Sequence, residues 1–375
     1  MKKENLSVLT IGGATQDIYV RFHGADSMKI TRNTGESRYM LFESDAKIEV
    51  EKLSYFTGGG ATNSSVTFSC QGIATTCFCM IGNDEAGKNV LDDLKRYKVN
   101  ADCVVKSDEH PTGKSFVVNA VDGERTIFAH RGANRFLKKE LVPFNVMKNV
   151  DQVYITSLSQ EAALLLPDIV SFAKENKKSV AINPGISLLS SGALVLRDSL
   201  RYIDILILNS SEARTFMVAL VEKEDIYKDV FLSQNKKIKK SNSCDANLLH
   251  QPILYENVRF GIRKFFLEVF KMGPKIVVVT DGERGVYVAT PENILFHAGL
   301  EIDAVDTLGA GDAFGACFVA SLLRGEEIKD ALRDGMINSA SVIGKFGAKP
   351  GVLTLDELND KISKVSQGNI EEFSF

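Results

Sequence analysis

Between Asp306 and Asp312 the chain reads DTLGAGD and runs on into the apolar stretch AFGACFVASLL. Gly309, Ala310 and Gly311 carry almost no side chain, so they leave backbone N–H groups bare at the start of a helix, where the helix dipole also favours an anion. Asp312 adds a carboxylate at the same place, and two readings compete for it. A carboxylate at a helix N-terminus serves as a cap and needs no further purpose. Beside bare amides it can also act as a base next to an anion hole.

Other polar residues stand directly after apolar runs: Asn183 in SVAINPG, Asn209 in DILILNSSE, Thr280 with Asp281 in KIVVVTDG. In NSSE, Asn209 and Glu212 have the spacing of a capping box, which is sufficient locally. At a strand end in a crevice the same amide and carboxylate would hold a hydrated magnesium ion beside phosphates. TDGERG, from Thr280 to Gly285, reads by itself as a turn; in a crevice its small residues would let a nucleotide approach the backbone. Asn63 in GGGATNSS fits a satisfied polar residue in the first turn of a helix. Asn63 and Asn209 also match N-x-[ST], and with no secretory signal glycosylation is not expected.

Two stretches imitate a phosphate-binding P-loop and fail. GNDEAGKN (82–89) ends in Asn89 where a magnesium-binding Ser or Thr belongs, and TGKS (112–115) has Asp108 where the upstream glycine belongs.

Short apolar runs rich in β-formers alternate with helix-like segments: LSVLTIGG, TTCFCMIG, QVYITS, SVAINPG, DILILNSSE, KIVVVTDG and EIDAVDTLGAGD. Runs apolar on both faces and separated by helices predict an α/β fold with a parallel sheet covered on each side. In such sheets ligands bind outside the carboxyl ends of the strands, so topology alone brings Asn183, Asn209, Thr280 and Asp306 to one crevice. DIYVRF (17–22), AKIEVEKL (46–53), SFVVNAV (115–121) and RTIFAH (125–130) alternate with period two and predict a small antiparallel sheet, a lid over the crevice. Its last two strands are joined by a hairpin turn at Asp122–Glu124. Gly58, Gly59 and Gly60 join the lid to a helix beginning near Ala61, as a hinge or as a rigid tight turn. Residues 222–256 read as a charged surface insertion, partly helical.

The composition narrows the function classes. With 44% hydrophobic and 25% charged residues and a net charge of −3, the chain is an ordinary globular protein with no basic field for nucleic acid or anionic lipid. Its apolar stretches are too short for a bilayer span, which predicts a cytoplasmic protein. Six cysteines without a C-x-x-C pair predict reduced structural thiols, and five scattered histidines give no zinc spacing. GGATQD stands where a dinucleotide-binding enzyme would have G-x-G-x-x-G, which argues against an oxidoreductase.

Together these motifs resemble the ribokinase family, the PfkB carbohydrate kinases, over nearly the whole chain apart from 222–256. DTLGAGDAFGACFV is similar to the family's C-terminal signature, and GGGATNSSVTFSCQG followed by IGNDEAG is similar to its N-terminal one. GGATQD, GERTIFAHRGAN, NSSE and TDGERG are weaker matches. The resemblance implies a single ribokinase-like domain over 1–375, with a lid formed by about 17–54 and 113–131. It implies an ATP-dependent kinase that phosphorylates a hydroxymethyl group of a small sugar or sugar-like substrate. A nucleoside kinase and a non-catalytic sugar- or nucleotide-binding protein of the same fold are the alternatives.

By that resemblance Asp312 is the catalytic base and Gly309, Ala310 and Gly311 form the anion hole. Asp17, Gly59, Gly60 and Asn63 would bind the sugar. Asn183, Asn209 and Glu212 would serve phosphates and Mg2+, with Thr280, Gly282 and Gly285 along the nucleotide. The segment NSASVIGKFGA, beginning at Asn338, is similar to the region that flanks the adenine and, in many members, contributes to a K+ site. Thr15, two residues before Asp17, and Gly185, after Asn183 and Pro184, depart from the family pattern. An exposed lid sheet offers a route to a homodimer.

Overall fold

The computed structural model describes residues 5–21, 26–32, 35–119, 125–227, 248–250, 253–255, 258–364 and 370–375. Its centre is a nine-stranded sheet. Six strands are parallel: β6 (Ala74–Phe78), β1 (Ser7–Ile11), β11 (Gln152–Ile155), β12 (Ser179–Ile182), β13 (Ile205–Asn209) and β16 (Ile276–Thr280), in that spatial order. Beyond β16 the sheet continues antiparallel through β17 (Val286–Ala289), β18 (Ile294–His297) and β19 (Ile370–Phe373). The expected parallel sheet is thus present as its six central strands, and an antiparallel edge is added to it. VYVA and ILFH are joined by a tight turn in which Thr290 binds Asn293, which leaves no length for a crossover helix.

Alternate residues of each parallel strand enter opposite layers, as the pleat requires. Leu9, Ile11, Val153, Ile155, Leu206 and Val277 pack on one side with helices α3 (Leu166–Glu175), α4 (Ser210–Lys223) and α5 (Ile262–Met272). Val8, Tyr154, Ala181, Ile207 and Val278 pack on the other with α1 (Gly60–Cys70), α6 (Ala310–Leu323) and α7 (Ile328–Ile343). Helices therefore cover both faces, and both layers are apolar to the centre.

A second, four-stranded sheet forms the lid, in the order β10 (Arg125–His130), β9 (Gly113–Asn119), β2 (Thr15–Arg21) and β5 (Lys52–Gly58). Its ladders are antiparallel except β2–β9, which is parallel. The run 46–53 is not a strand as a whole: pairing begins at Lys52, and residues 46–51 are all exposed with no face to bury. Separate two-stranded ladders join β3 (Asp26–Arg32) to β4 (Gly35–Leu41), β7 (Met80–Gly82) to β8 (Val105–Ser107) and β14 (Ile253–Tyr255) to β15 (Val258–Phe260). The turn expected at 122–124 and most of the insertion, 228–247, lie outside the described residues.

EIDAVDTLGAGD holds no strand. Residues 298–306 run as a loop, with the Val305 and Asp306 N–H groups donating to the Ile343 carbonyl at the end of α7. Among the described residues, no helix is long and apolar enough to cross a membrane.

Candidate active site

Asp306 builds the turn ahead of α6. Its Oδ1 accepts the Leu308 N–H at 2.9 Å, and its Oδ2 accepts the Gly347 N–H at 3.0 Å and the hydroxyl of Tyr19 from the lid. Gly309 then turns the chain with φ +80°, and a Cβ there would lie 2.3 Å from the Cβ of Ala348, so conformation and contact both require glycine. Gly309 is the N-cap of α6, which places Asp312 inside the first turn with no capping bond to the backbone. The N-cap reading of Asp312 therefore falls.

The Asp312 carboxylate faces the lid side, where Asn63 Nδ2 of α1 donates to its Oδ2 at 2.8 Å. Burial raises its pKa; the Asn63 bond pulls it back, Asp17 adds to the rise, and Lys349 opposes it. The N–H groups of Gly311 and Asp312 meet no acceptor among the described residues, while that of Ala310 makes only a long 3.4 Å bond to the Thr307 carbonyl. A proton acceptor and unclaimed amides thus share one helix turn.

On the lid side, Asp17 is buried in β2 and its Oδ1 accepts from the Thr15 hydroxyl at 3.0 Å. Thr15, where the family pattern differs, is thus a support for Asp17. Burial lifts the Asp17 pKa, Ser115, Thr15 and Lys349 lower it, and Asp306 raises it. The three glycines at the start of α1, Gly58 to Gly60, are close-packed. A Cβ at Gly58 would strike Asp17 Oδ2 at 2.0 Å, one at Gly59 (φ +95°) the Gly13 carbonyl at 2.5 Å, and one at Gly60 the Thr156 Cβ at 2.7 Å. Asn63 uses its amide nitrogen on Asp312 and leaves a buried Oδ1 without a partner.

The other side of α6 opens on a cavity of about 740 Å3 whose wall includes Asn209, Thr280, Gly282, Ala310 and Gly311. Asn209 and Thr280 are register partners at the ends of β13 and β16 and both line the cavity, whereas Asn183 and Asp306, expected beside them, are not on its wall, and Asp306 ends a loop instead of a strand. A Cβ at Gly282 or Gly311 would meet no atom within 4 Å; both leave open backbone on the wall. Phe314, Met336, Leu300, Ile302 and Ile343 supply an apolar end.

Two residues expected along the nucleotide lie elsewhere. Asn338 is fully buried, its Nδ2 donating to the Ala313 carbonyl and its Oδ1 accepting the Leu353 N–H, so its amide is spent on holding α6, α7 and the following loop together; its neighbours Ser339 and Ala340 line the cavity instead. Gly285 (φ +122°) is a turn glycine packed 2.2 Å, at its Cβ position, from the His297 carbonyl. Asn183 follows β12, its N–H donating to the Ile155 carbonyl and its side chain near the buried Tyr154 hydroxyl.

Asn209 and Glu212 do form a complete capping box, each side chain accepting the other's N–H at 2.8 Å. The box uses Asn209 Oδ1 and one carboxylate oxygen. Burial pushes the Glu212 carboxyl up to about 7; the Asn209 N–H lowers it and Asp312 raises it. Among the described residues, no group of three or more His, Cys, Asp or Glu could hold a metal ion.

Lys349 is a component that the sequence did not single out. It is 3% exposed, and its Nζ lies 2.7 Å from the Thr57 hydroxyl and 3.2 Å from Asp93 Oδ2. The loop 299–302 on the cavity wall was equally silent, because its apolar residues follow no period.

The pfkB family carbohydrate kinase model matches residues 23–239 and 260–355. The ribokinase of Staphylococcus aureus (strain COL) is 25% identical over 309 residues, covering 81% of this chain and 87% of that one. The ribokinase of Arabidopsis thaliana, solved with ribose and ATP, shares the fold at a TM-score of 0.72 with 18% identity, covering 96% of this chain and all of that one. The nucleoside kinase of Methanocaldococcus jannaschii, described as an archaeal member of the ribokinase family, gives a TM-score of 0.69 at 18% identity over 97% of this chain and all of that one. With a family model that spans most of its length, the chain belongs to the PfkB carbohydrate kinase family.

Proposed function

We propose that this chain is an ATP-dependent kinase that transfers the γ-phosphoryl group to a hydroxymethyl group of a small sugar or sugar-like substrate. One observation carries the reading: Asp312, gripped by Asn63, stands between the buried Asp17 and the open cavity, on the turn whose Gly311 and Asp312 amides are unclaimed. Asp17 and the free Oδ1 of Asn63 would fix acceptor hydroxyls. Asp312 would take the proton from the attacking hydroxyl. The amides would meet the charge that spreads over the transferred group.

The residues present fit the nucleotide. The cavity has the size of a small-molecule site, with open glycine backbone and apolar side chains on its wall. Mg2+ would supply charge neutralisation at the phosphates, and the Glu212 carboxylate oxygen outside the capping box is the group to receive it or its water shell. K+ remains attached to the segment that begins at Asn338, and exchanging KCl for tetramethylammonium chloride in the assay tests it.

The experiment is ADP release by the purified protein with ATP and Mg2+ across a panel that includes ribose, fructose and adenosine. Turnover with one acceptor and not with ATP alone supports the reading, and the preferred acceptor separates sugar from nucleoside. Acceptor binding without turnover anywhere in the panel contradicts it and favours a binding protein. The lid's outer face exposes Leu53, Tyr55, Phe116 and Phe128, a surface that a homodimer through the lid would cover; the mass in solution tests that arrangement.

A further inference from the structure

Residues 347–349 stitch the turn ahead of α6 to the lid. Gly347 donates its N–H to Asp306 and packs against Phe56 of β5, a Cβ there lying 2.7 Å from the ring. Ala348 sits against Gly309. Lys349 sends its ammonium to Thr57 of β5 and to Asp93 of α2 (Glu85–Arg96), and the Thr57 hydroxyl bonds the same carboxylate. Three consecutive residues therefore touch the turn, the lid strand and the helix beneath it.

An ammonium so deeply buried is costly unless charges around it compensate, and one carboxylate at 3.2 Å is a partial answer. The rest of its surroundings are acidic or polarisable. Asp93 and Thr57 face it directly, and Asp17 of β2 and Cys77 of β6 lie within electrostatic range, as does Asp312 of α6. Asp17 in turn faces Thr15, Ser115 and Asp306, and Asp312 faces Asn63 and Asp17, with Glu212 of α4 and Tyr154 of β11 also within electrostatic range of it. Among the described residues, Lys349 is the one cation that acts on both Asp17 and Asp312.

We propose that Lys349 is a positioning residue for the phosphoryl-transfer reaction: anchored to the lid root through Thr57 and Asp93, its ammonium is the fixed counter-charge that keeps Asp17 and Asp312 ionised together. This rests on the reading of those aspartates as acceptor-binding group and base. Two carboxylates in one dry site repel each other, and without a nearby cation one of them takes up a proton. A protonated Asp312 accepts nothing from an alcohol. Because the ammonium is held by the lid strand, the charge balance is complete only with the lid seated as it is here.

The test reads the carboxylates directly and needs no turnover. The protein is labelled with 13C at aspartate side-chain carboxyls, the Asp17 and Asp312 signals are assigned with Asp17→Asn and Asp312→Asn, and both are titrated. In Lys349→Met the two midpoints should rise by about one pH unit, the size expected for losing a cation at intermediate distance and dielectric. Lys349→Met leaves Asp93 buried beside a methionine, so Lys349→Met/Asp93→Asn, in which the pair is neutral, carries the same measurement in a chain relieved of that defect. A rise in the double variant with wild-type midpoints in Lys349→Arg establishes the role. Unmoved midpoints in the double variant overturn it and leave Lys349 as the structural partner of Asp93. If the midpoints move while the acceptor panel gives no turnover, the electrostatic role stands and the kinase reading is what fails.

Discussion

Asn63 and Asp312 are joined by a 2.8 Å hydrogen bond that links the first turn of α1, at the foot of the lid, to the first turn of α6, at the mouth of the cavity. Neither side chain caps its own helix. The pair therefore orients one carboxylate oxygen with an amide and leaves the amide's own oxygen unpartnered and buried.

Replacing Asn63 by Ala removes the donor that stabilises the charged form of Asp312. A hydrogen bond to a charged group contributes about 1.5–3 kcal/mol, so kcat/KM should fall by on the order of 10- to 100-fold. The acid limb of the pH–rate profile should also move to higher pH, because loss of the bond raises the carboxyl further. Steady-state kinetics from acid to alkaline pH with the acceptor identified in the panel checks both effects.

Gly309→Ala places a methyl group on a left-handed residue and against Ala348. Strain of this kind costs about 1–3 kcal/mol, so the melting temperature should drop by several degrees. Activity should fall more than stability, because the shifted turn carries the Gly311 and Asp312 amides. Gly311→Ala is the control: its Cβ meets no protein atom, so the melt should stay close to wild type while ATP affinity weakens.

Glu212, Asp17 and Asp312 all have raised pKa values in the folded chain. A carboxyl whose folded pKa exceeds its unfolded value binds more protons when folded, so it favours the folded state at low pH and that contribution is lost as pH rises through the folded value. The ligand-free protein should therefore lose stability as pH climbs from about 4.5, the ordinary Glu value, to about 7, where Glu212 titrates. In Glu212→Gln that decline should be shallower, and Mg2+ with nucleotide should offset it in the wild type by favouring the ionised form. Thermal melts across this range, with and without nucleotide and Mg2+, provide the comparison.

Ala340 lines the apolar end of the cavity. A phenylalanine there would fill space near Ile343 and Met336, and the KM for ATP should rise at least about tenfold, as overpacking commonly costs 1–3 kcal/mol. Acceptor binding, measured by calorimetry, should be unchanged, since Asp17 and Asn63 lie on the other side of α6.

Much of the crevice was legible because its signals are local. Glycine and aspartate spacing marks the turn at 306–312, and a polar residue after an apolar run marks a strand end, so Asn209 and Thr280 fall where the pattern puts them. What the sequence hides is direction and distance in space. Asn338 sits in a helix with polar neighbours at 339 and 341, and only packing reveals that its amide is turned inward. Lys349 meets Asp93 across most of the chain, a pairing that no local period encodes. The antiparallel strands β17 and β18 stay hidden in the sequence because four-residue apolar runs joined by a tight turn carry little strand signal of their own.

The most direct test of the account is the single substitution Asp312→Asn, which keeps the size of the side chain and removes the proton acceptor. Nucleotide affinity by calorimetry should stay within about threefold of wild type, while kcat should fall by at least 10²- to 10⁴-fold, the span general-base catalysis supplies. Wild-type turnover in this variant would contradict the assignment of Asp312 as the base.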